Sequence, residues 1–534
     1  MTLFTPAEPI VLDRLYFLTS QSLPRYNGTV TKISPPTAPT VGFISLGCPK
    51  NLVDSEVMMG LLDRAGASLT SHPEEAEILI VNTCSFIDTA KQESIDTILE
   101  MARHKTTGRA KKLIVAGCLV ERYRDEIRNS IPEVDAVVGT GELEAILEAA
   151  GLQASVEVPP FNILSGKVAE TRPGQESQAG THKAHEGRHE GIHREQQGRF
   201  RRNDWQGASH MLPTYLYDET TPRLLTTPKS SAYIKIAEGC DHPCSFCVIP
   251  NLRGKFRSRR FESVVAEAEQ LVARGVREIT LIGQDTTCYG EDFGLKEGLA
   301  TLLDTLARIP NLRWLRFLYA YPNRITSRLL ETIALHDNIC KYIDLPLQHA
   351  SPSVLKRMKR GGSPDIFLKT LAKVRATIPG VALRTSFIVG FLGETAEDLI
   401  LLEDFVKEAK FDWLGVFNYS DEEGSGAFSL DGKLPRRTIE ARRRKLMKLQ
   451  QSISRRAKQQ WVGRELVVLA EGESGETPLL WEGRTQFHAP EIDGKLYIND
   501  FGPLPTLEPS RFYRAQITEA HDYDVVARIL SGPL

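Results

Sequence analysis

Short apolar runs alternate with amphipathic helical stretches in two blocks of this chain, and this alternation limits the fold to the α/β class. The larger block contains six such runs: AYIKIAEG, EITLIGQD, WLRFLYAYP, KYIDLPLQ, ALRTSFIVGF and WLGVFNYS. Because the runs are continuously apolar, we expect strands that are buried on both faces. Six strand–helix units of this kind predict an open, TIM-like (β/α)6 barrel over residues 226–460.

The smaller block, residues 39–150, contains the runs VGFISLGC, ILIVNTC and KLIVAGC. Helical patterns follow them at 52–65, 88–103 and 119–129. This order predicts a doubly wound α/β domain with a parallel sheet.

The segments outside these blocks have other patterns. Residues 1–38 are rich in Pro, Ser and Thr and predict a loose N-terminal extension or a misassigned start. Residues 165–222 form a predicted linker, and its 170–210 stretch is too poor in large apolar residues to fold, so we expect a disordered insert. A basic stretch at 436–460 predicts a connecting helix. Short runs separated by Gly and Pro predict a small antiparallel β-barrel over 461–534.

Composition excludes two classes of protein. The 534 residues carry 66 Lys and Arg against 68 Asp and Glu, so the net charge of -2 rules out a global polycation that coats nucleic acid. No apolar run approaches the roughly 20 residues that a membrane span needs, and the N-terminus lacks a basic start followed by a hydrophobic stretch. We therefore expect a cytoplasmic protein without a membrane partner.

The strongest chemical signal is the CxxxCxxC set formed by Cys240, Cys244 and Cys247, directly after the first barrel strand. Three thiolates on one loop can hold three irons of a four-iron cluster and leave the fourth iron open. Structural zinc is the alternative, but zinc sites usually close with four ligands. Although His242 lies nearby, no second Cys or His pair follows at finger spacing. The pattern favours an iron–sulfur cluster.

A second cysteine set is spread along the smaller block. Cys48, Cys84 and Cys118 lie 36 and 34 residues apart, and each one ends an apolar run. Equivalent ends of parallel strands meet at one edge of a sheet, where ligands bind. Any one of these cysteines alone reads as a buried core thiol. Their shared position predicts a second three-thiolate cluster with an open iron.

A cysteine loop at the first strand of a partial barrel resembles the radical S-adenosylmethionine superfamily. Together with the second cysteine set, the sequence closely resembles the radical methylthiotransferase family from Val41 almost to the C-terminus, interrupted by the insert. The resemblance implies two four-iron four-sulfur clusters, S-adenosyl-L-methionine as both methyl donor and radical source, and replacement of C–H by C–S–CH3. It also implies that Cys240, Cys244 and Cys247 generate the radical, that the other three cysteines hold the sulfur, and that the C-terminal barrel is a TRAM domain.

Within this family, the segments SLGCPKNLVDSE and EGCDHPCSFCVIPNLRGKFRSR resemble the ribosomal-protein subfamily, the RimO type. The transfer-RNA subfamily, the MiaB type, usually has Gln and Asn where Pro49 and Asp241 stand here. The implied substrate is an aspartate of ribosomal protein S-twelve, free or in the small ribosomal subunit, modified at its β-carbon. An unidentified electron donor and sulfur source are implied as partners. The alternatives are a transfer-RNA methylthiotransferase and a non-catalytic iron–sulfur carrier or scaffold.

The charge of the C-terminal barrel bears on this choice. From Arg464 to Leu534 there are twelve acidic and six basic residues, a net charge of -6. A barrel that grips RNA is expected to be basic along one face. A negative module suits a basic ribosomal protein better, although an acidic surface without a partner has the same charge.

The resemblance also suggests cofactor contacts at Phe246, Gly283, Gln284 and Gly390, with Gly393 and Glu394 beside them. Relatives usually have Pro where Leu392 stands, and glycines at strand ends also serve simple chain reversal. Four arginines form a basic loop that faces either substrate or solvent: Arg253, Arg257, Arg259 and Arg260. Cys288 and Cys340 lack partners at ligand spacing and are expected to be structural.

Overall fold

The computed structural model describes residues 38–153, 214–477 and 479–534. The predicted insert at 170–210 and all but the last residue of the predicted N-terminal extension lie outside these ranges. In the described ranges, no helix combines the length and apolar character needed to cross a membrane.

The N-terminal domain is a five-stranded parallel sheet covered by helices. Its elements are β1 (Thr40–Ser45), α1 (Pro49–Arg64), β2 (Ser68–Thr70), β3 (Ile78–Thr83), α2 (Asp88–Thr107), β4 (Lys112–Gly117), α3 (Cys118–Ser130), β5 (Ala136–Val138) and α4 (Ile146–Ala150). The strand order is β2-β1-β3-β4-β5, and every pair is parallel. The predicted doubly wound class is confirmed, and α1 begins three residues earlier than expected because a proline is favoured in the first turn of a helix.

The central domain is built from six parallel strands with helices between them. Its first half contains β6 (Ser231–Lys235), β7 (Ala237–Glu238), α5 (Ile249–Arg253), β8 (Arg257–Ser258), α6 (Phe261–Ala273), β9 (Glu278–Ile282), α7 (Gly298–Leu306), β10 (Trp314–Phe317) and α8 (Ser327–Leu335). Its second half contains β11 (Tyr342–Asp344), α9 (Pro352–Arg357), α10 (Pro364–Thr377), β12 (Ala382–Val389), α11 (Ala396–Ala409), β13 (Trp413–Asn418) and α12 (Arg436–Gln459).

These strands form two parallel sheets, β10-β9-β6 and β11-β12-β13. A parallel bridge between Leu315 and Ile339 connects the sheets. In the described ranges, β6 and β13 do not pair with each other, so the barrel is open. This is the predicted (β/α)6 fold, with all six predicted runs present as strands.

The C-terminal domain is a closed five-stranded barrel. Its strands are β14 (Glu465–Glu473), β15 (Trp481–Thr485), β16 (Leu496–Asp500), β17 (Arg511–Ala520) and β18 (Val525–Ser531). Four neighbouring pairs are antiparallel, as expected from the sequence, but β16 and β18 pair in parallel. The reason is topological: β17 pairs with β14 across the closure, and β18 returns antiparallel to β17 and therefore runs in the direction of β16.

Helix α1 joins the N-terminal domain to the barrel. All of its residues except the last two are buried, because it lies between its own sheet and β6. Glu56 on this helix is fully buried and binds Arg223 at 2.6 Å, while its other oxygen accepts from Thr226 at 2.7 Å. Arg122 on α3 makes a second buried ion pair with Glu422 at 2.6 Å. These contacts hold the cysteine-bearing edge of the sheet against the barrel.

Candidate active site

Cys48, Cys84 and Cys118 follow three neighbouring strands, β1, β3 and β4. Because the strands are parallel, their carboxyl ends bring the three thiols to one edge of the sheet. The loop between β1 and α1 passes so close to the next loop that a Cβ on Gly47, whose φ is 92°, would lie 3.1 Å from the Cys84 sulfur. The structure therefore brings this predicted cysteine set together.

Side-chain hydrogen bonds hold the three cysteine loops in place. The Asn51 amide donates to the carbonyl oxygens of Leu46, at 2.6 Å, and Thr83, at 3.3 Å. The Ser85 hydroxyl donates to the Cys118 carbonyl oxygen at 3.0 Å. The cysteine positions are thus set by buried polar contacts between loops as well as by the strands.

Arg253, on α5 of the barrel, reaches into the N-terminal domain. Its guanidinium donates to the Cys118 sulfur at 3.5 Å, to Asp54 at 2.8 Å and to Glu238 at 3.1 Å. Its side chain is 2% exposed. Glu238 lies two residues before Cys240, so this one cation connects Cys118 to the segment that leads into the barrel cysteine loop. Lys235 completes the network by binding both Asp54 and Glu238.

The electrostatic environment differs among the three thiols of the N-terminal domain. Burial opposes ionisation of Cys48, but the positive charges of Lys50 and Arg253 outweigh it and hold its pKa below the ordinary value. Burial, together with repulsion from the Cys118 and Cys48 thiolates, raises the pKa of Cys84. Burial also raises the pKa of Cys118, although Arg253 opposes it. Arg253 acts on all three thiols, which supports their proximity.

The loop that carries Cys240, Cys244 and Cys247 connects β7 to α5. Its backbone is fixed by Ser245, whose N–H donates to the Met358 carbonyl oxygen at 3.0 Å and whose hydroxyl donates to the Arg357 carbonyl oxygen at 2.7 Å. Burial raises the pKa of Cys240 to about 11 and that of Cys247 to about 12, with repulsion from the neighbouring thiolates adding to the effect.

Two further side chains fix this loop. Arg360 donates to the Cys244 sulfur at 3.4 Å. The His242 ring stacks on Tyr321 with centroids 4.0 Å apart, and its Nε2 lies 2.6 Å from the Asp285 carboxylate. His242 is therefore engaged by Asp285. Together with Cys288 these side chains form a group whose possible ligand atoms all lie within 4.8 Å of one another, a set that could hold a metal ion.

Each site offers three thiols, and sulfur donors suit an iron–sulfur cluster. In the ranges that the structure describes, two cysteines lie outside these sets. Cys340 is buried in the core at 1% exposure, and the Cys288 thiol donates to Asp285 at 3.0 Å. The residues present therefore fit two clusters with three protein ligands each, while their roles as ligands stay predictions.

The predicted cofactor contacts surround the barrel loop. Gln284 donates to Glu238 at 2.6 Å, while its buried Oε1 has no hydrogen-bond partner in the described part of the chain. A Cβ on Gly283 would meet no atom closer than 3.5 Å, so protein packing does not require a glycine there. A buried acceptor without a partner fits a bound polar cofactor.

The other two predicted contacts have packing explanations. Phe246 packs against a small apolar cluster that contains Phe391 and Leu392. Gly390 has a φ of 79°, and a Cβ there would lie 2.5 Å from Ile439 on α12. The close approach of that helix is sufficient reason for a glycine, so a cofactor contact at Gly390 stays a prediction.

The basic loop differs from the sequence expectation. Arg253 and Arg259 are each 2% exposed, so neither is solvated. Arg259 is paired with Glu267, and Arg257 donates to main-chain carbonyl oxygens such as that of Thr214 at 3.1 Å. Only Arg260 is exposed among the four. No local pattern predicts these partners, because they lie between 8 and 199 residues away along the chain.

Three family models match the chain. They are the Uncharacterized protein family UPF0004 over residues 40–139, the Radical SAM superfamily over residues 234–406 and the TRAM domain over residues 462–530. The fold and these matches define the class: a radical S-adenosylmethionine protein that carries a UPF0004 domain before its barrel and a TRAM domain after it.

The sequence relatives narrow the class. The ribosomal protein uS12 methylthiotransferase RimO of Koribacter versatilis is 64% identical over 512 residues, which cover 95% of this chain and 100% of the relative. The protein of the same name from Solibacter usitatus is 57% identical over 92% of this chain and 95% of its own. The chain therefore belongs to the RimO family of ribosomal protein uS12 methylthiotransferases, as the sequence resemblance predicted.

Among solved structures, the radical S-adenosylmethionine methyltransferase TsrM from Kitasatospora setae is similar to this chain. The TM-score is 0.44 at 16% identity, with 72% of each chain covered.

Proposed function

We propose that this protein replaces a hydrogen on the β-carbon of an aspartate in ribosomal protein uS12 with a methylthio group, using S-adenosyl-L-methionine, and that it acts in the cytoplasm. Near-complete coverage by a 64% identical relative supports the substrate. The observation that carries the chemistry is Arg253 at the domain interface, which contacts the Cys118 sulfur of one predicted site and Glu238, two residues before Cys240 of the other.

Each part of the chain has a proposed task. Residues 39–150 would hold the auxiliary cluster through Cys48, Cys84 and Cys118. Residues 226–460 would hold the radical-generating cluster through Cys240, Cys244 and Cys247, and residues 461–534 would face the substrate protein. When bound, the two clusters supply the electron that cleaves the cofactor and the sulfur that is transferred.

The residues of the chain position these groups. Arg360 and Arg253 donate to one sulfur in each site, at 3.4 and 3.5 Å, and so balance thiolate charge. Ser245 anchors the radical loop, which carries Cys240, Cys244 and Cys247, to the backbone of Arg357 and Met358. Gln284 offers its free Oε1 to the cofactor.

The direct test compares uS12 by mass spectrometry from cells that contain this protein and from cells that lack it. We expect one additional methylthio group on uS12 only when the protein is present. The same group on transfer RNA instead would support the MiaB-type alternative, which the relatives do not favour. Purified protein that forms no deoxyadenosine with reductant and cofactor would support a carrier or scaffold.

Cysteine variants separate the two sites. Cys244→Ala is expected to abolish deoxyadenosine formation, because the radical site loses a ligand. Cys84→Ala is expected to stop methylthio transfer while cofactor cleavage continues, because only the auxiliary site is damaged. Cys340→Ala is the matched control, since this thiol is in the core. Normal methylthio transfer by either site variant would contradict the assignment.

A further inference from the structure

Lys50 carries a buried positive charge without a carboxylate partner in the described part of the chain. Lys50 is 8% exposed, and its Nζ lies 3.3 Å from the centre of the Tyr319 ring. No ion pair with a carboxylate within 4.0 Å involves it in these ranges. Besides Tyr319, its neighbours are the Cys48 thiol and the cation Arg253. Buried charges in proteins are normally paired with a carboxylate or another full anion. Apart from the Cys48 thiol, this ammonium has no such partner in the described ranges, so it is suited to a carboxylate that arrives with a ligand.

Other buried cations around the two sites already have such partners. Their ion pairs join Arg122 to Glu422, Arg223 to Glu56, Lys235 to Asp54, Arg253 to Glu238, Arg259 to Glu267 and Arg484 to Glu278. Lys458 also lacks a carboxylate, but it lies between the rings of Trp413 and Trp461, outside both cysteine sites. Lys50 is therefore distinctive in being both buried and beside a predicted metal site.

A series of contacts connects Lys50 to both cysteine sites. On one side it follows Cys48 by two residues and is electrostatically coupled to that thiol. On the other side its ammonium rests on Tyr319, which belongs to the barrel. Tyr321, two residues further, stacks on His242 of the radical loop and lies 4.6 Å from the Arg360 guanidinium, which in turn donates to Cys244.

The proposed reaction needs a substrate carbon in this region, because hydrogen leaves toward one site and sulfur arrives from the other. The β-carbon of an aspartate is bonded to its carboxylate carbon, so the carboxylate oxygens lie about 2.4 Å away from it. A β-carbon held between the sites therefore brings its carboxylate into the same buried space. Such a carboxylate requires a cation there.

We infer that the Lys50 ammonium binds the side-chain carboxylate of the substrate aspartate. This inference rests on the proposed function. The Tyr319 ring holds the ammonium in the site before the substrate arrives, since a cation over an aromatic face is attracted to it. Lys50 is then a specificity-determining residue that selects aspartate over its uncharged amide analogue.

The test measures binding of labelled uS12 to anaerobically reconstituted holoenzyme with S-adenosyl-L-methionine and no reductant, so that turnover does not occur. Two forms of uS12 are used, with Asp or Asn at the modified position. We expect Lys50→Gln to weaken binding of the Asp form by at least about tenfold and of the Asn form by less than about twofold, since a charge-assisted contact is lost only with Asp. Lys50→Arg is expected to restore the preference for Asp.

Lys111→Gln is the matched control, because it removes the same charge from an exposed side chain of the same domain. It is expected to leave the affinity for both uS12 forms unchanged. An equal loss for the Asp and Asn forms in Lys50→Gln would indicate a structural role and overturn the inference, as would no loss. Absence of methylthio transfer by the wild-type protein would instead overturn the proposed function.

Discussion

Arg253 is the residue that connects the thiols of the N-terminal domain to the barrel. Its guanidinium contacts a sulfur of one site and the carboxylate of Glu238, which precedes the other site. A forked donor is needed for this geometry, because it binds Asp54, Glu238 and Cys118 in different directions. A lysine carries the same charge but lacks the planar set of N–H donors that can reach all three partners at once.

We predict that Arg253→Gln lowers the free energy of unfolding by roughly 3–5 kcal/mol, because Asp54 and Glu238 then share only Lys235 as a buried counter-charge. The reduction potential of the auxiliary cluster should become more negative, since a positive charge beside it is lost. Denaturant unfolding and potentiometric titration followed by electron paramagnetic resonance measure the two effects. Arg253→Lys is expected to recover them only in part.

Arg257→Gln serves as the control for this prediction, because Arg257 lies four residues after Arg253 and its guanidinium donates to main-chain carbonyl oxygens. Arg257→Gln should change the free energy of unfolding and the reduction potential of the auxiliary cluster less than Arg253→Gln does. Equal effects of the two substitutions would refute the special role of Arg253.

For individual residues, the sequence pattern identified the thiols of the two sites but not the charged side chains that contact them. The six cysteines could be predicted because their spacing relative to strands has a chemical meaning. Arg253 was visible as a basic residue, yet its partner Asp54 is 199 residues away, and no local pattern reveals such a pair. Lys50 lies in the SLGCPKNLVDSE segment, but its lack of a carboxylate partner in the described ranges is a property of the folded chain.

Helix α12 is the element for which the sequence prediction and the structure differ most in burial. Its many basic residues predicted a solvated connector, and most of its surface agrees. Lys458 near its C-terminal end is nevertheless fully buried, with its Nζ 3.6 Å from the centre of the Trp413 ring and 4.5 Å from that of Trp461. The C-terminal end of the helix is thus packed between the barrel and the C-terminal domain.

Burial lowers the pKa of Lys458 to about 8, although Asp412, Asp493 and Asp524 oppose the shift. The unfolded chain then binds more protons than the folded one between about pH 8 and the ordinary lysine value of about 10.4. The free energy of unfolding should therefore rise with pH across this window, by on the order of 3 kcal/mol in total.

Lys458→Met is expected to be more stable than the wild type at pH 7.5, since the buried charge is removed, and this advantage should shrink at pH 9.5. Thermal unfolding of both proteins at the two pH values measures the difference. Lys448→Met, on an exposed part of the same helix, is the control. A difference between wild type and Lys458→Met that does not change with pH would contradict the prediction.

The other elements show where sequence patterns suffice. Continuous apolar runs predicted six barrel strands, because burial on both faces leaves a strong signal. Strand β15 was not predicted, since Glu482, Gly483 and Arg484 interrupt its pattern. The sequence also did not predict the parallel pairing of β16 and β18, because the pairing direction follows from the path of β17 rather than from the residues of either strand.

At the scale of the whole molecule, charge is divided unevenly. The chain is nearly neutral, with a net charge of -2, whereas its C-terminal domain carries -6. Several of these acids are exposed, including Glu473, Glu491 and Asp500. Some of the bases are neutralised internally, such as Arg484, which binds Glu278 of the barrel at 2.7 Å. The outer surface of this domain is therefore suited to attract a basic protein.

We predict that the association rate constant with uS12 falls several-fold between about 50 and 300 mM salt, because screening weakens this attraction. Neutralising Glu473, Glu491 and Asp500 to their amides should slow association at low salt and flatten the salt dependence. Stopped-flow mixing measures the rates.

The matched control neutralises three exposed acids on the outside of the barrel, Glu331, Asp337 and Glu408. It is expected to change the association rate less than the C-terminal variant does. A salt dependence that is identical in the two variants would show that the charge of the C-terminal domain has no directing effect.

The reach of Arg253 into the N-terminal domain has a consequence for biosynthesis. Cys118, whose sulfur it contacts, leaves the ribosome 135 residues before it. At bacterial elongation rates of about 5–20 residues per second, roughly 7–27 s pass between the two. During that interval the nascent thiols lack the Arg253 guanidinium, so iron delivery to the N-terminal domain is best timed after Arg253 has been translated.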